Sequence, residues 1–484
     1  MPTQPAILKT GVSGLDNILN GGLFANRVYL IEGDPGVGKT TLALQFLLEG
    51  VRNGEKCLYV SLSETREELD GVAASHGVDL SGIEIVELSA IEKALKGKAN
   101  TLFQSADVEL NHLSKYLLDE VDRVGPSRLV LDSLSELRLI AQNPLRYRRH
   151  ILSFKQHFAG KGCTVLMLDD RTGAVDAQVR SIVHGIIALS MVSLKFGINR
   201  RFLSVAKLRG AKFREGQHDY SIHRGGLQVF PRLIAAEHHV GFKKILFSSG
   251  NKQMDLLLGG GLHTGTSNLF MGPAGSGKTT LASMFAHAAA SRGEKVAYYA
   301  FDENVHTLLD RAREMHTDFE PLIEAGTLKL TQIDPAEIAP GELADSIVAT
   351  VEKGTRLVVL DSLNGYVTAM PQEEFLELHL HELLTYLNQQ GVITIMVLAQ
   401  HGLIGPMGAP VDVSYLADTV VLMRFFEALG EVKKAMSVIK KRSGPHETSL
   451  RELIMRTDGV SLGEPLREFE GILTGVPRYR GAGL

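Results

Sequence analysis

Gly33-Asp34-Pro35-Gly36-Val37-Gly38-Lys39-Thr40 decides the fold, because this stretch matches the pattern G-x-x-x-x-G-K-[ST] of a phosphate-binding loop. An apolar strand-like run, Val28-Tyr29-Leu30-Ile31, precedes it, and a helix-like segment follows from Thr41. In that context the glycines let backbone N–H groups face phosphate oxygens at a helix N-terminus. We expect Lys39 to reach the β- and γ-phosphates of ATP and Thr40 to offer its hydroxyl to Mg²⁺.

The chain contains a second such loop, Gly272-Pro273-Ala274-Gly275-Ser276-Gly277-Lys278-Thr279. It also lies between a strand-like run, Asn268-Leu269-Phe270-Met271, and a helix-like segment that starts at Thr280. Both loops match the full pattern, and each lies between a strand-like run and a helix-like segment. This argues against a glycine-rich turn that fits the pattern by chance. The sequence therefore predicts two sites for ATP and Mg²⁺, each formed by one loop and the threonine that follows it.

Other segments repeat with the loops. Thr10-Gly11-Val12-Ser13-Gly14-Leu15-Asp16 recurs as Ser249-Gly250-Asn251-Lys252-Gln253-Met254-Asp255, at the same offset of 239 residues as the loops. Each half has the length of an ordinary domain. We expect domains at 1–238 and 239–484, with the join near 235–245.

Short apolar β-runs alternate with helical patterns in each half, for example Cys57-Leu58-Tyr59-Val60 and Thr164-Val165-Leu166-Met167-Leu168. Near-continuous apolar strands separated by helices indicate a mainly parallel sheet covered on both faces. The fold class predicted is α/β, with two tandem P-loop NTPase domains and ligands at the carboxyl ends of the strands.

Composition limits the function classes. Residues 1–238 carry 29 basic against 26 acidic residues, and the whole chain has a formal charge of −4, so neither half has the basic surface of a duplex DNA binder. No apolar run approaches the roughly 18 residues of a membrane span, and the start lacks the pattern of a secretory signal. We expect a cytoplasmic protein with no membrane or nucleic-acid partner, and buried reduced thiols at Cys57 and Cys163.

Acidic residues complete each predicted site. Asp132 and Asp361 each end an apolar strand and precede a serine, where a P-loop enzyme holds Mg²⁺. Glu64, and the pair Asp302 and Glu303, follow the strand after the phosphate-loop helix. A carboxylate there could orient the attacking water or hydroxyl, or accept its proton. It could also simply stabilise a helix N-terminus, and the two roles are compatible.

Basic residues recur on a late strand, as Lys207 and Arg209 in the first half and Lys440 and Arg442 in the second. Such residues could stabilise the transferred phosphoryl group of a neighbouring subunit's nucleotide. They could equally be alternate residues on a solvated edge strand. Repetition in both halves favours the functional role.

Over nearly its whole length the sequence resembles the KaiC-like proteins, which are two-domain members of the RecA-type P-loop ATPases. The resemblance rests on the paired loops, Leu131-Asp132-Ser133, Leu360-Asp361-Ser362, the Lys-x-Arg segments and Val413-Ser414-Tyr415-Leu416-Ala417-Asp418. It implies RecA-like domains, hexameric rings with ATP between subunits, slow ATP hydrolysis in the first domain and serine/threonine autophosphorylation in the second.

The resemblance also implies roles for single residues. Glu64, Asp302 and Glu303 fall where the family places acidic catalytic residues, and Ser414 falls at a phosphorylated position. The four basic residues fall where the family contacts the neighbour's nucleotide. Two departures matter: Tyr415 replaces an adjacent phosphorylated threonine, and Ser63 and Asp302 stand where glutamates are expected.

Three functions compete at this point. The first is an ATP-hydrolysing ring that phosphorylates itself on Ser414. The second is a nucleotide-gated platform that docks signalling proteins without autokinase activity, and the third is a nucleic-acid motor, which the charge balance disfavours.

Overall fold

The computed structural model describes residues 6–87, 106–170, 177–195, 197–368, 376–400, 402, 413–428, 430–456, 459–474 and 476–479. The described residues divide into two compact units, within the ranges Met1–Lys195 plus Asn199–Arg232 and Phe196–Ile198 plus Leu233–Leu484. We call them the first and second domain and keep the boundary after residue 238, which the repeat suggests, as a proposal.

The first domain alternates strands and helices. Its described strands are β1 (Ile7–Leu8), β2 (Leu23–Phe24), β3 (Val28–Gly33), β4 (Cys57–Ser61), β5 (Glu84–Glu87), β6 (Arg128–Asp132), β7 (Thr164–Asp170), β8 (Gly185–Val192), β9 (Arg200–Leu208), β10 (His218–His223) and β11 (Gly226–Phe230). Its described helices are α1 (Ser13–Ile18), α2 (Lys39–Arg52), α3 (Arg66–His76), α4 (Ala106–Val124), α5 (Leu134–Ala141), α6 (Pro144–Ala159) and α7 (Ala177–Ile182).

The second domain repeats this order. Its described strands are β12 (Leu246–Phe247), β13 (Leu262–His263), β14 (Ser267–Pro273), β15 (Lys295–Ala300), β16 (Leu328–Gln332), β17 (Thr355–Asp361), β18 (Ile393–Gln400), β19 (Thr419–Ala428), β20 (Glu431–Lys441), β21 (Arg451–Arg456), β22 (Gly459–Pro465), β23 (Phe469–Glu470) and β24 (Arg478–Tyr479). After a 3₁₀ turn at Ala235–Glu237, its described helices are α8 (Lys252–Leu257), α9 (Lys278–Ser291), α10 (Val305–Glu314), α11 (Glu320–Glu324), α12 (Pro340–Glu352), α13 (Leu363–Thr368) and α14 (Leu376–Gln389).

Each domain is built on one large sheet. Counting described strands only, the first sheet has nine, in the order β11-β10-β9-β8-β3-β7-β6-β4-β5, and the second has nine, in the order β16-β15-β17-β18-β14-β19-β20-β21-β22. The strands from β8 to β5, and from β16 to β19, pair in parallel, and the remaining three in each sheet pair antiparallel. This confirms the predicted α/β class with tandem, mainly parallel sheets.

Helices cover both faces of each sheet, which explains the continuous apolar strands. Along β3, Tyr29 and Ile31 enter one hydrophobic cluster with the apolar residues of α2, while Val28 and Leu30 enter another with those of α5 and α6. All six residues of β3 are buried. A strand between two cores has no solvent face, so alternation disappears from its sequence.

A buried arginine links several segments of the first domain. The Arg128 side chain is only 1% exposed and forms two hydrogen bonds with the Glu55 carboxylate, at 2.6 and 3.2 Å. It also donates to the carbonyls of Lys9 and Phe46, at 2.7 and 2.9 Å. A buried guanidinium is tolerated because its donors are satisfied.

We expect Arg128→Ala to lower the free energy of unfolding by about 3 kcal/mol, because it leaves two carbonyls and a half-buried carboxylate without their donor. Urea unfolding of the full chain measures this change. Arg356→Ala is the control, since Arg356 is an exposed arginine near the start of β17. Equal midpoints for the two variants would contradict the prediction.

Candidate functional site

The two phosphate-binding loops lie where β3 and β14 end and where α2 and α9 begin. The Lys39 ammonium donates to the carbonyls of Gly33 and Asp34, at 2.8 and 3.0 Å. The Lys278 ammonium donates to the Pro273 carbonyl at 2.7 Å. Each lysine therefore folds back across its own loop, at a helix N-terminus that favours an anion.

A glycine is required immediately before each helix. Gly38 and Gly277 adopt φ angles of 98° and 106°, which side chains rarely permit. A Cβ atom on Gly277 would also lie 1.9 Å from Met455 Cε. The pattern in the sequence thus reflects backbone geometry that only glycine allows.

Each loop threonine meets the predicted aspartate. Thr40 Oγ1 donates to Asp132 Oδ2 at 3.1 Å, and Thr279 Oγ1 donates to Asp361 Oδ1 at 3.2 Å. Both carboxylates are buried, and burial raises the pKa of each. The structure therefore brings together the residue types predicted to hold Mg²⁺ in both domains.

A tyrosine completes each of these groups. The Tyr59 hydroxyl donates to Asp132, and the Tyr298 hydroxyl donates to Asp361 Oδ2 at 2.6 Å. Sequence reasoning missed both tyrosines, because each reads as one more apolar residue of its strand. Their equivalent placement in β4 and β15 was the available signal.

The donor set fits a magnesium ion that also contacts phosphate. A hydroxyl and a carboxylate are hard oxygen ligands, and Mg²⁺ in nucleotide sites commonly uses one or two protein carboxylates. Among the described residues, no group of three or more His, Cys, Asp and Glu side chains could enclose a metal on its own. An ion at Thr40 and Asp132, or at Thr279 and Asp361, would need oxygens from the nucleotide.

The second loop also has unsatisfied polar atoms. Ser276 Oγ and Gln400 Oε1 are buried and make no hydrogen bond to the described part of the chain. Gln400 ends β18, directly beside Pro273 in the sheet. Because buried polar atoms are normally paired, these two fit a site built for a polar ligand.

In the first domain, the predicted acid Glu64 is half-buried between β4 and α3. The Ser61 hydroxyl donates to its carbonyl at 2.5 Å, and its backbone N–H donates to Ser61 Oγ at 3.0 Å. Its Oε2 atom is buried and has no hydrogen-bond partner in the described residues. Burial raises the pKa of Glu64, and the charges of Asp132 and Glu68 raise it further.

The corresponding acids of the second domain have partners. Asp302 accepts a hydrogen bond from the Ser362 hydroxyl. Glu303 pairs with Arg311 through two hydrogen bonds, of 2.7 and 2.6 Å. The sequence predicted the acids but not this ion pair.

A further acid contacts the phosphate-loop lysine in the first domain. Asp170 Oδ1 lies 2.8 Å from the Lys39 ammonium, at the position of β7 that pairs with Gly33. The second domain has Ala399 at the position that pairs with Gly272. Sequence reasoning missed Asp170, although its place at the end of an apolar strand could have indicated it.

Comparison with known proteins gives the family. The family model described as "ATPase: KaiC" matches residues 8–234 and again residues 247–467. The chain belongs to the KaiC family of ATPases. This confirms the resemblance inferred from the motifs, and family membership supports nucleotide binding and ATPase activity.

Individual KaiC proteins match almost the whole chain. Circadian clock protein KaiC3 of Synechocystis sp. is 26% identical, over 98% of this chain and 94% of its own length. Circadian clock protein KaiC2 of the same organism is 27% identical, over 97% and 83%. Circadian clock oscillator protein KaiC of Synechococcus elongatus is 25% identical, over 98% and 92%.

In this KaiC-family chain, the predicted basic residues bind carbonyls of their own domain. Lys207 and Arg209 donate to the carbonyls of Arg180 and Ser181, at 2.6 and 2.9 Å, beside the end of α7. Cations are favourable at a helix C-terminus. Their predicted contact with a neighbour's nucleotide stays a prediction.

The second-domain residues hold the segment that contains Ser414. Lys440 donates to the Ser414 carbonyl and Arg442 to the Tyr415 carbonyl, both at 2.9 Å. Ser414 is half-buried in a turn before β19, while Tyr415 is 53% exposed. The sequence analysis assigned Lys440 and Arg442 to a neighbour's nucleotide and Ser414 to a phosphorylated position, and it did not predict that they contact each other.

A cavity of about 250 Å³ lies along one face of α9, the helix that follows the second phosphate loop of this KaiC-family chain. Its lining includes Thr280, Met284, His287, Met315 and Val460. Separately, none of the helices in the described residues is both long and apolar enough to cross a membrane.

Burial lowers the pKa of Lys278 to about 8, with the charge of Asp361 opposing the shift. Bound phosphate favours the ammonium form, so ATP binding takes up a proton once the free lysine has become neutral. We expect affinity at the second site to be constant below pH 8 and to fall above it, by up to about tenfold per pH unit. Titration of Lys39→Ala protein with a fluorescent ATP analogue measures this dependence.

The control for this titration is the additional Lys278→Arg substitution, because a guanidinium stays protonated throughout the range. We expect its affinity to be nearly independent of pH. An equally steep decline in the arginine variant would show that another group is responsible.

Proposed function

We propose that this chain is an Mg²⁺-dependent ATPase that forms a ring, binds ATP at the subunit interfaces and phosphorylates itself on Ser414. The observation that carries the ATP sites is the double occurrence of a complete lysine, threonine and aspartate arrangement at the carboxyl edge of a parallel sheet. Ligands of open α/β folds bind at that edge.

The phosphate loops would hold the triphosphate. Lys39 and Lys278 already lie across their loops, where a phosphate oxygen would replace carbonyl contacts of both lysines and would compete with Asp170 for Lys39. The pairs Thr40 with Asp132 and Thr279 with Asp361 would hold Mg²⁺. When bound, Mg²⁺ would neutralise charge on the β- and γ-phosphates during phosphoryl transfer.

Glu64 is the candidate base for hydrolysis in the first domain. Its Oε2 makes no hydrogen bond to the described residues, so that oxygen is not already committed to a partner, and burial raises the pKa of Glu64. Water oxygen would form a bond to the γ-phosphorus as the bond to the bridging oxygen breaks. Glu64 would accept the proton of that water, and ADP and phosphate would leave.

A ring follows from the proposed role of the basic residues. The subunits meet head to tail if the basic residues of one subunit face the nucleotide of the next, and such contacts close into rings. The residues concerned are Lys207, Arg209, Lys440 and Arg442. Arg209 and Arg442 are exposed in the single chain, which leaves them accessible to a neighbouring subunit. We propose a ring of six subunits, as the resemblance to the KaiC-like proteins implies.

Autophosphorylation would use the second site. The Ser414 oxygen would bond to the γ-phosphorus of a nucleotide, ADP would leave, and Asp302 or Glu303 would accept the hydroxyl proton. Lys440 and Arg442 support this role, because they fix the backbone of residues 414 and 415 while lying where the family contacts nucleotide.

A second candidate is the nucleotide-gated platform that docks signalling proteins without kinase activity. The observation that favours it is the pairing of both second-domain acids, Asp302 with Ser362 and Glu303 with Arg311. Acids held in this way have fewer lone pairs left for a serine hydroxyl, and a ring could then respond to nucleotide without modifying itself.

Incubation with γ-labelled ATP and Mg²⁺ separates the two. We expect free phosphate to be released and label to be retained on Ser414, and both Ser414→Ala and Lys278→Ala to lose the retained label. Lys39→Ala tests whether the loss of label is specific to the second site, because it removes the lysine of the first phosphate loop. Phosphate release without retained label would favour the platform, and label at Ser414 in Lys278→Ala equal to that of the unmodified chain would contradict the autokinase.

A further inference from the structure

The two domains place one glutamate at the same position. Glu64 immediately precedes the N-cap residue of α3, Thr65, and Glu303 immediately precedes the N-cap residue of α10, Asn304. Their separation is 239 residues, the offset of the phosphate loops. Any difference in their chemistry must therefore come from the side chains around them.

The two glutamates have different charged neighbours: acids lie near Glu64, whereas an arginine binds Glu303. Glu64 lies near two other acids, Asp132 and Glu68, and its buried Oε2 has no hydrogen-bond partner in the described residues. Both oxygens of Glu303 instead accept hydrogen bonds from the Arg311 guanidinium, at 2.7 and 2.6 Å. Both side chains of the pair are half-buried, with Glu303 27% and Arg311 34% exposed.

Arg311 has no counterpart in the first domain. It lies seven positions after the N-cap residue of α10, and the equivalent position in α3 is Val72. Val72 packs against the hydrophobic core of the first domain. Among the described residues, a guanidinium thus binds both oxygens of this glutamate in the second domain and not in the first.

A bidentate clamp leaves a carboxylate less able to contact a further donor. The two charge-assisted hydrogen bonds from Arg311 occupy lone pairs on both Glu303 oxygens that a water molecule or hydroxyl would need. Arg311 also acts on Asp361, one of the residues proposed to hold Mg²⁺. The charge of Arg311 lowers the pKa of Asp361 and so opposes the effect of burial, which raises it. Turnover and the KM for Mg-ATP must therefore be measured separately in a variant that lacks Arg311.

We propose that Arg311 is a positioning residue that holds Glu303 back from proton abstraction and thereby slows ATP hydrolysis in the second domain. The inference rests on the proposed ATPase function. In the restrained step, water oxygen bonds to the γ-phosphorus, the bond to the bridging oxygen breaks, and Glu303 takes the proton.

The test uses the full chain carrying Glu64→Gln, which leaves both phosphate loops intact and isolates turnover in the second domain. In this background we expect Arg311→Met to raise kcat for phosphate release about fivefold, a small part of the roughly hundredfold or larger effect of a general base, with KM for Mg-ATP nearly unchanged. Arg311→Lys keeps a cation beside Glu303, and we expect it to stay close to the background rate.

Two controls exclude a merely structural effect. Arg313→Met removes another arginine of α10, which pairs with Asp310 and Glu320 instead, and we expect it to leave kcat unchanged. Adding Glu303→Gln to Arg311→Met should abolish the gain, because the released base is then missing.

A fall in kcat with Arg311→Met would overturn the inference, and so would an unchanged kcat or a gain that persists without Glu303. Failure of the proposed function looks different. In that case the unmodified chain would release no phosphate, whatever the residue at position 311.

Discussion

The hydrogen bond between the phosphate-loop threonine and the aspartate of a distant strand is the constraint on which both sites depend. Thr40 and Asp132 are separated by 92 residues, and β7 lies between their strands in the sheet. Their 3.1 Å contact requires the strand order, the right strand lengths and a tight loop at Gly38 together. Thr279 and Asp361 meet the same requirement at 3.2 Å. Each core is thus built to present one lysine, one hydroxyl and one carboxylate at the same edge of a sheet.

The same scaffold then carries two different electrostatic environments. In the first domain, Asp170 pairs with the loop lysine, and Glu64 Oε2 has no hydrogen-bond partner among the described residues. In the second domain, Ala399 stands in place of that aspartate, and Arg311 binds Glu303. A repeat preserves backbone positions, while single side chains near the phosphates tune basicity and charge. Division of work between the domains needs no change of fold.

Local patterns predicted the loops, the two strand-ending aspartates and the sheet class, because each is a short signature that backbone geometry imposes. The contacts of Glu303 with Arg311 and of Lys39 with Asp170 could not be predicted in this way. Arg311 reaches back along two turns of α10, and Asp170 arrives through pairing of strands that are not consecutive in sequence. Tyr59 and Tyr298 were hidden for another reason, since a buried tyrosine in an apolar strand reads as core until its hydroxyl partner is located.

Steady-state phosphate release by Glu64→Gln and Glu303→Gln, each compared with the unmodified chain, tests most directly the claim that similar sites do unequal work. Both substitutions preserve the shape of the side chain and remove the carboxylate. Nucleotide binding by each variant is the control that the variant is folded. We expect Glu64→Gln to abolish most of the phosphate release, by about tenfold or more, and Glu303→Gln to change it little. Equal losses in the two variants, or a larger loss with Glu303→Gln, would contradict the account.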